Sequence, residues 1–147
     1  MSYNEMSARY TELPEEFYVP SVETIGKQST TNKQARDIEP VSETWAKNQI
    51  EVIQTQCENA FEVYHDLLAM DVPRELARSV LPVATYSHMF ATVNLLNLFR
   101  FLTLRIDQHA QYEIRVYAEA MVELIRSVVP VCTKAWENNG NDTTQTA

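Results

Sequence analysis

The run Ser2-Tyr3-Asn4-Glu5-Met6-Ser7-Ala8-Arg9-Tyr10 sets carboxylate, hydroxyl, phenol and guanidinium groups side by side where the chain starts. A terminus frays unless something ties it down, so a functional cluster there predicts that neighbouring structure comes from another chain or is missing. Arginine forms a second concentration of chemistry. Eight of the twelve cationic residues are arginines, and five of them (Arg74, Arg78, Arg100, Arg105 and Arg115) fall within one segment. All four lysines (Lys27, Lys33, Lys47 and Lys134) lie outside it. A guanidinium is a planar fork of donors that grips phosphate or carboxylate bidentately and keeps its charge when partly buried, so the cluster is a candidate anion site. On charge alone, salt bridging to the surplus carboxylates is the simpler account.

Other constellations are thinner. His109 and Glu113 stand four apart on a predicted helix, a spacing that can put two metal ligands on one face, but an i,i+4 ion pair explains it more simply. Ser7 has no nucleophile-elbow glycines around it, which leaves a Ser-His-Asp hydrolase poorly supported. Only Gly26 and Gly140 occur, neither in a phosphate-cradling motif. The P-loop and the GxGxxG fingerprint are therefore excluded, since both need backbone to approach phosphate closely. Any phosphate here must be held by side chains such as the arginines and Ser7, or by the amides that follow Asn94 at a helix start. Arg105 and His109 flank the joint between two helices, with Arg100 one turn earlier. They point to an anionic ligand on a helical scaffold.

The elements that must position these groups follow from punctuation and period. Residues 1–20 hold Tyr10, Phe17, Tyr18 and Val19 between Pro14 and Pro20, which predicts extended backbone, and 21–40 is polar and reads as a mobile loop. Ser42 caps a long helix, with Glu43 in its first turn. Ala46, Ile50, Ile53, Cys57, Ala60, Tyr64 and Leu67 recur at steps of four and three and form its core face. Asp71-Val72-Pro73 ends that helix and opens a short one through Arg74 and Arg78, stopped by Leu81-Pro82. The β-branched and aromatic stretch Val83 to Val93 predicts a strand. Asn94 caps a helix to about Leu104. After a break at 106–108, a last helix buries Ala110, Ile114, Tyr117, Ala118, Met121, Leu124, Ile125 and Val128 and ends before Pro130. From Glu137 the tail is Asn- and Thr-rich and is expected to be disordered.

Size and composition bound the rest. With 147 residues, 45 % of them apolar, the chain can build an ordinary core, and its net charge of −8 argues against a nucleic-acid-coating surface. No apolar run approaches the roughly 20 residues of a membrane span and no signal peptide is evident, which predicts a soluble, cytoplasmic protein. Cys57 and Cys132 have neither CxxC spacing nor secretory context and read as buried, reduced thiols, with no metal site expected.

The opening run resembles the second half of a signature found in flavin-dependent thymidylate synthases (ThyX). So do Ala77-Arg78 with Leu81-Pro82, Asn94, Phe101-Leu102-Thr103-Leu104-Arg105, and His109-Ala110-Gln111 followed by Glu113-Ile114 and Tyr117-Ala118. Order and spacing agree over roughly Ser2 to Pro130. The resemblance implies a mostly helical α+β fold, long helices packed against a small sheet, with residues 1–136 forming the C-terminal part of one catalytic domain. It further implies a homotetramer that makes dTMP from dUMP, with methylenetetrahydrofolate as carbon donor and NADPH reducing a bound FAD.

Carried over residue by residue, Glu5, Met6, Ser7, Ala8 and Arg9 look like the dUMP-binding part of the signature, with Arg9 and Arg78 on the phosphate. Arg105 looks like the family's activating arginine: a fixed cation beside the pyrimidine stabilises negative charge on the ring and promotes attack from C5. Asn94, the backbone of Leu95 and Leu96, and His109 match flavin contacts, and Glu5 faces both ligands. Because reduced flavin delivers a hydride, no cysteine need attack the uracil, and Ser7 reads as a ligand contact. Arg100 departs from the family, which more often has Asn or His there, although an arginine could still reach a phosphate. The family's Arg-His-Arg triplet would end two positions before Met1. The expectation is a C-terminal portion carrying the dUMP half of the site and one wall of the flavin site, its autonomous activity open. A split gene, an internal start and a remnant all fit, or a second N-terminal polypeptide completes the site. A non-catalytic helical oligomerisation module or a nucleotide-binding module is the alternative.

Overall fold

Ser42 lies in extended backbone and its Oγ accepts the Trp45 N–H at 3.3 Å, so the long helix α1 starts where the cap residue predicts and spans Glu43–Ala69. The computed structural model describes residues 2–33, 35–37 and 39–140. These form a mostly helical α+β fold that divides into two compact units, Ser2–Ala91 and the part from Thr92 onward.

In the first unit, α1 closes in a left-handed turn at Asp71, whose φ is 60°. The Val72 N–H reaches Leu67 O at 3.0 Å and the Asp71 N–H reaches Leu68 O at 3.1 Å, the paired bonds of a Schellman cap. Aspartate tolerates this conformation less well than glycine and better than a β-branched residue. Asp71→Gly is expected to raise stability by about 0.5–1 kcal/mol and Asp71→Val to lower it by about 1–2 kcal/mol, read as urea midpoints. The chain then enters α2, Arg74–Ala77, which tightens into a 3-10 turn, Arg78–Val80.

Phe61, Tyr64 and Ala77 form the buried centre here, with Phe17, Leu67, Leu68, Val72, Val80 and Leu81 around them. Phe61 stacks on Phe17 with ring centroids 5.9 Å apart and meets Tyr64 edge-on at 6.3 Å. The expected α1 stripe is buried at Ala46, Cys57 and Tyr64 and half-buried at Ile50, Ile53, Ala60 and Leu67. Phe61, which that stripe omits, is the deepest large side chain beside Tyr64.

Strand β1, Ser2–Glu5, pairs with β2, Met89–Thr92, in a two-stranded antiparallel sheet. The strand expected over Val83 to Val93 is thus confined to its last third. Pro82 starts a turn whose carbonyl takes both the Thr85 N–H at 3.0 Å and the Thr85 hydroxyl at 2.8 Å, and beyond it Thr85 makes only an isolated antiparallel bridge to Phe17 before β2 begins. The stretch read as a mobile loop carries its own hydrogen bonds. Gln28 Nε2 donates to Lys33 O at 3.0 Å and Ala35 O at 3.1 Å, and Arg36 Nη1 to Thr24 O at 2.6 Å. A Cβ on Gly26 would meet Asp37 O at 3.3 Å, which explains why the close return of this excursion uses glycine.

In the second unit, Asn94 Oδ1 accepts the Asn97 N–H at 2.9 Å and starts α3, Leu95–Arg105. Helix α4, Tyr112–Val128, packs on α3 through Leu102, Ala118 and Val122. Tyr117, Leu124 and Val128 of the expected core face are exposed instead. At about 100° per residue they fall on one flank of the line through Ala118, Val122 and Ile125, so the buried face is rotated from the one the apolar residues suggest.

The expected helix end before Pro130 is correct for α4, but Pro130 also opens α5, Pro130–Gly140, since proline suits a first turn as well as a stop. Trp136 fixes α5 on α3, stacked on Phe99 at 5.2 Å with its Nε1 donating to Thr103 Oγ1 at 2.9 Å. Residues 137–140, expected to be disordered, are therefore helical, while 141–147 lie outside the described residues. Cys57 is buried, which pushes its thiol above the ordinary range, whereas Cys132, expected to be buried, is exposed on α5. Among the described residues no helix is long and apolar enough to cross a membrane.

Candidate functional site

The opening run leaves its strand at Glu5 and turns. The Met6 N–H donates to His88 O at 2.9 Å, keeping this stretch beside the approach to β2. Ser7 builds the turn that follows: its carbonyl accepts the N–H groups of Tyr10 (3.0 Å) and Thr11 (3.1 Å), and its Oγ accepts the Arg9 N–H at 3.4 Å. This half-buried turn carries Ala8 and projects Arg9 outward. The Arg9 guanidinium reaches Glu75 of α2 at 3.8 Å, so Arg9 stands against the same short helical stretch that carries Arg78. That pair is long and exposed. A contact of this kind contributes at most about 1 kcal/mol, so it yields readily to a stronger anion.

Glu5 is held from the side. Ser87 Oγ donates to Glu5 Oε1 at 2.8 Å, joining residues 82 apart in sequence.

The second unit carries the other predicted residues. Asn94 uses its side-chain oxygen on Asn97, which leaves the amides of Leu95 and Leu96 in the first turn without an intrahelical acceptor. Arg100 is exposed one and a half turns on, and Arg105 is the last residue of α3, also exposed. His109 sits in the break before α4, where its backbone N–H and its Nδ1 both meet Asp107 Oδ1 at 2.8 Å. This corrects the ion pair expected with Glu113: the break lets the ring fold back two residues, whereas the four-residue spacing needs a continuous helix, and α4 begins only at Tyr112.

Donation from the His109 backbone N–H, and then from its ring, holds the Asp107 carboxyl below the usual range. A depressed carboxylate stabilises the fold above its unfolded pKa of about 4 and loses that contribution as pH falls through the lower folded value. The melting-temperature gap between wild type and Asp107→Ala is accordingly expected at pH 7 and should close below about pH 4.

The arginine segment does not behave as salt bridging predicts. Arg115 pairs with Glu119 at 3.7 Å and lies over the Tyr112 ring at 5.9 Å. Arg74, Arg78, Arg100 and Arg105 have no carboxylate partner among the described residues, in a chain with twenty acidic side chains. Unpaired guanidinium groups in an acidic protein suit anions that arrive from outside. The amide donors at the start of α3 and the Arg100 guanidinium are each groups that can hold a phosphate. Among the described residues no group of three or more His, Cys, Asp or Glu is arranged to hold a metal.

Sequence reasoning missed Ser87, Glu75 and Asp107 as partners. An Asp two residues before a His in a helix break is a legible turn signal. The other two pairings depend on tertiary approach and leave no local trace.

Residues 1–131 match the family of thymidylate synthase complementing proteins, Thy1. The chain is 43 % identical over 136 residues to a flavin-dependent thymidylate synthase of Treponema denticola, covering 92 % of this chain and 51 % of that protein. It is 43 % identical over 133 residues to the enzyme of that name from Dictyostelium discoideum, covering 90 % and 43 %. It therefore spans about half the length of these relatives. A crystal structure of the UMP/dUMP methylase PolB from Streptomyces cacaoi, bound with 5-Br dUMP, superposes with a TM-score of 0.82 at 33 % identity, covering 93 % of this chain and 61 % of that one. The same methylase bound with 5-Br UMP gives 0.86 at 34 % identity, covering 95 % and 64 %. With residues 1–131 matched by the family model and the fold shared with these neighbours, the chain belongs to the Thy1 family of thymidylate synthase complementing proteins.

Proposed function

We propose that this chain supplies the dUMP-binding half and one flavin-facing wall of a flavin-dependent thymidylate synthase, acting in the cytoplasm. The observation that carries the reading is the set of guanidinium groups without carboxylate partners among the described residues, Arg78 and Arg105 above all, in a member of a family named for this reaction. The substrates are dUMP and methylenetetrahydrofolate, with NADPH reducing FAD. The flavin, when bound, supplies the hydride that completes the methyl group.

The chain's own residues do the rest. Arg9 exchanges its weak contact with Glu75 for the dUMP phosphate, and Arg78 adds a second cation there. The turn from Met6 to Ala8 offers backbone groups and the Ser7 hydroxyl to the nucleotide. Arg105 sets a fixed positive charge beside the pyrimidine, where it stabilises charge that grows on the ring as C5 becomes nucleophilic. Asn94, Leu95, Leu96, Arg100 and His109 form the flavin-facing wall, and Glu5 lies toward both ligands. Other copies in a homotetramer complete the site.

Equilibrium binding of dUMP and FAD to the purified chain, with C5-tritium release from dUMP in the presence of folate and NADPH, tests this. Binding of dUMP with yellow, flavin-loaded protein supports the reading, and folate-dependent tritium release would add autonomy. A colourless chain that binds neither ligand sinks it. The exposed line Tyr117, Leu124 and Val128 on α4 would then favour a helical oligomerisation module, whereas a colourless chain that binds dUMP without turnover would mark a nucleotide-binding module.

A further inference from the structure

We propose that Ser87 is a positioning residue for Glu5. Its hydroxyl holds one carboxylate oxygen so that the other is presented to whatever occupies the site. The inference rests on the function proposed above for its meaning in catalysis, and on the geometry alone for the linkage itself.

Glu5 is the last residue of β1 and is exposed, so nothing apolar packs its side chain into place. Three rotatable bonds would ordinarily leave such a carboxylate averaging among rotamers. Here Ser87 Oγ donates to Glu5 Oε1 at 2.8 Å, a hydrogen bond to an ionised acceptor of the stronger kind. No other side chain among the described residues hydrogen-bonds to Glu5, so Oε2 stays available to a donor on a ligand.

The serine is itself fixed. The Tyr86 N–H donates to Glu16 O at 2.8 Å and the Tyr18 N–H to Ala84 O at 2.9 Å, while Phe17 and Thr85 form an antiparallel bridge. On the other side the Met6 N–H donates to His88 O at 2.9 Å. Backbone bonds to two different stretches, one before and one after the serine, therefore clamp the segment that presents its hydroxyl. Phe17 in turn stacks on Phe61, so the clamp is tied to the buried centre of the unit. A group held by a backbone this constrained can hold another group in place, which a serine on a free loop could not.

The test uses the full chain, with Ser87→Ala, Ser87→Thr, Glu5→Ala and the double variant Glu5→Ala/Ser87→Ala. NMR of the unliganded protein reads the two Glu5 γ-protons, which give separate shifts when the side chain is held and merge when it averages. Separate shifts are expected in wild type and in Ser87→Thr, which keeps the hydroxyl, and merged shifts in Ser87→Ala. Titration with dUMP is expected to show a roughly three- to tenfold weaker dissociation constant for Ser87→Ala, little change for Ser87→Thr, and no further loss when Ser87→Ala is added to Glu5→Ala.

Equal Glu5 averaging in wild type and Ser87→Ala overturns the proposal whatever dUMP does. So does an undiminished effect of Ser87→Ala in the Glu5→Ala background, since the serine would then act by some other route. A wild-type chain that binds no dUMP counts against the function proposed above, and the proton spectra still decide the linkage.

Discussion

Arg105→Ala is expected to lower C5-tritium release from dUMP by about 10²–10³-fold in any assembly of this chain that turns over, the loss typical of removing one preorganised charge from beside a developing anion. The same substitution should leave the fold nearly untouched. Arg105 is exposed at the last position of α3 and has no ion-pair partner among the described residues, so the structure loses only the favourable meeting of a cation with the helix C-terminus, about 0.3–1 kcal/mol. This separation gives the prediction its force. A residue kept for stability would change the melting temperature and activity together. A residue kept for chemistry changes one of them, and the tritium assay beside a thermal melt reads both. Unchanged turnover in Arg105→Ala would remove the central role assigned to this residue. An unchanged dUMP affinity alongside it would also place the residue outside the nucleotide site.

Arg105→Lys adds a finer test. Lysine keeps the charge but loses the planar fork, so it should restore part of the rate if a nearby positive charge is what the ring needs, and little if two directed hydrogen bonds are needed. Either result separates Coulombic stabilisation from geometric recognition.

Local signals were legible where one residue could carry them. Ser42 and Asn94 announced the starts of α1 and α3 because a capping side chain acts on an amide three residues away. Asp71-Val72-Pro73 marked the end of α1, although the left-handed turn at Asp71 could not be read from an Asp alone. Signals that depend on which face meets which partner were not legible. On α4, apolar side chains surround so much of the helix that Tyr117, Leu124 and Val128 read as core, and only packing against α3 picks the line through Ala118 and Val122. Pro130 signals a stop and a start alike, because a proline ends one helix and opens another with the same chemistry.

The candidate site followed the same division. Its opening run, its arginines and the helix start at Asn94 stood out as residue types. What the arginines pair with did not, since the surplus of carboxylates made salt bridges the natural guess while the fold leaves four of the five segment arginines without one among the described residues. The link from Ser87 to Glu5 crosses 82 positions and exists only because β1 and β2 pair. Contacts of this kind are set by strand register, which sequence fixes only through both strands at once.

Phe61→Ala should be the most damaging single change to the first unit, lowering stability by about 3–5 kcal/mol. Phe61 is 1 % exposed and sits between Phe17, Tyr64 and Ala77, so its removal deletes a ring that three elements share and leaves a cavity that none can close alone. Against the 5–15 kcal/mol typical of a natural domain, such a loss takes a large part of the margin. The consequence reaches the site, because Ala77 precedes Arg78 and Phe17 anchors the segment that carries Ser87. Urea unfolding should show the midpoint falling, and dUMP affinity should fall further than the unfolded fraction explains as Arg78 and Glu5 lose their fixed settings. Phe61→Leu, which refills most of the space, should recover much of both. If Phe61→Ala instead lowered stability and left the dUMP affinity of the folded fraction intact, Arg78 and Glu5 would be positioned by something other than this core. The short helix and the strand pair would then have to be treated as independent of it.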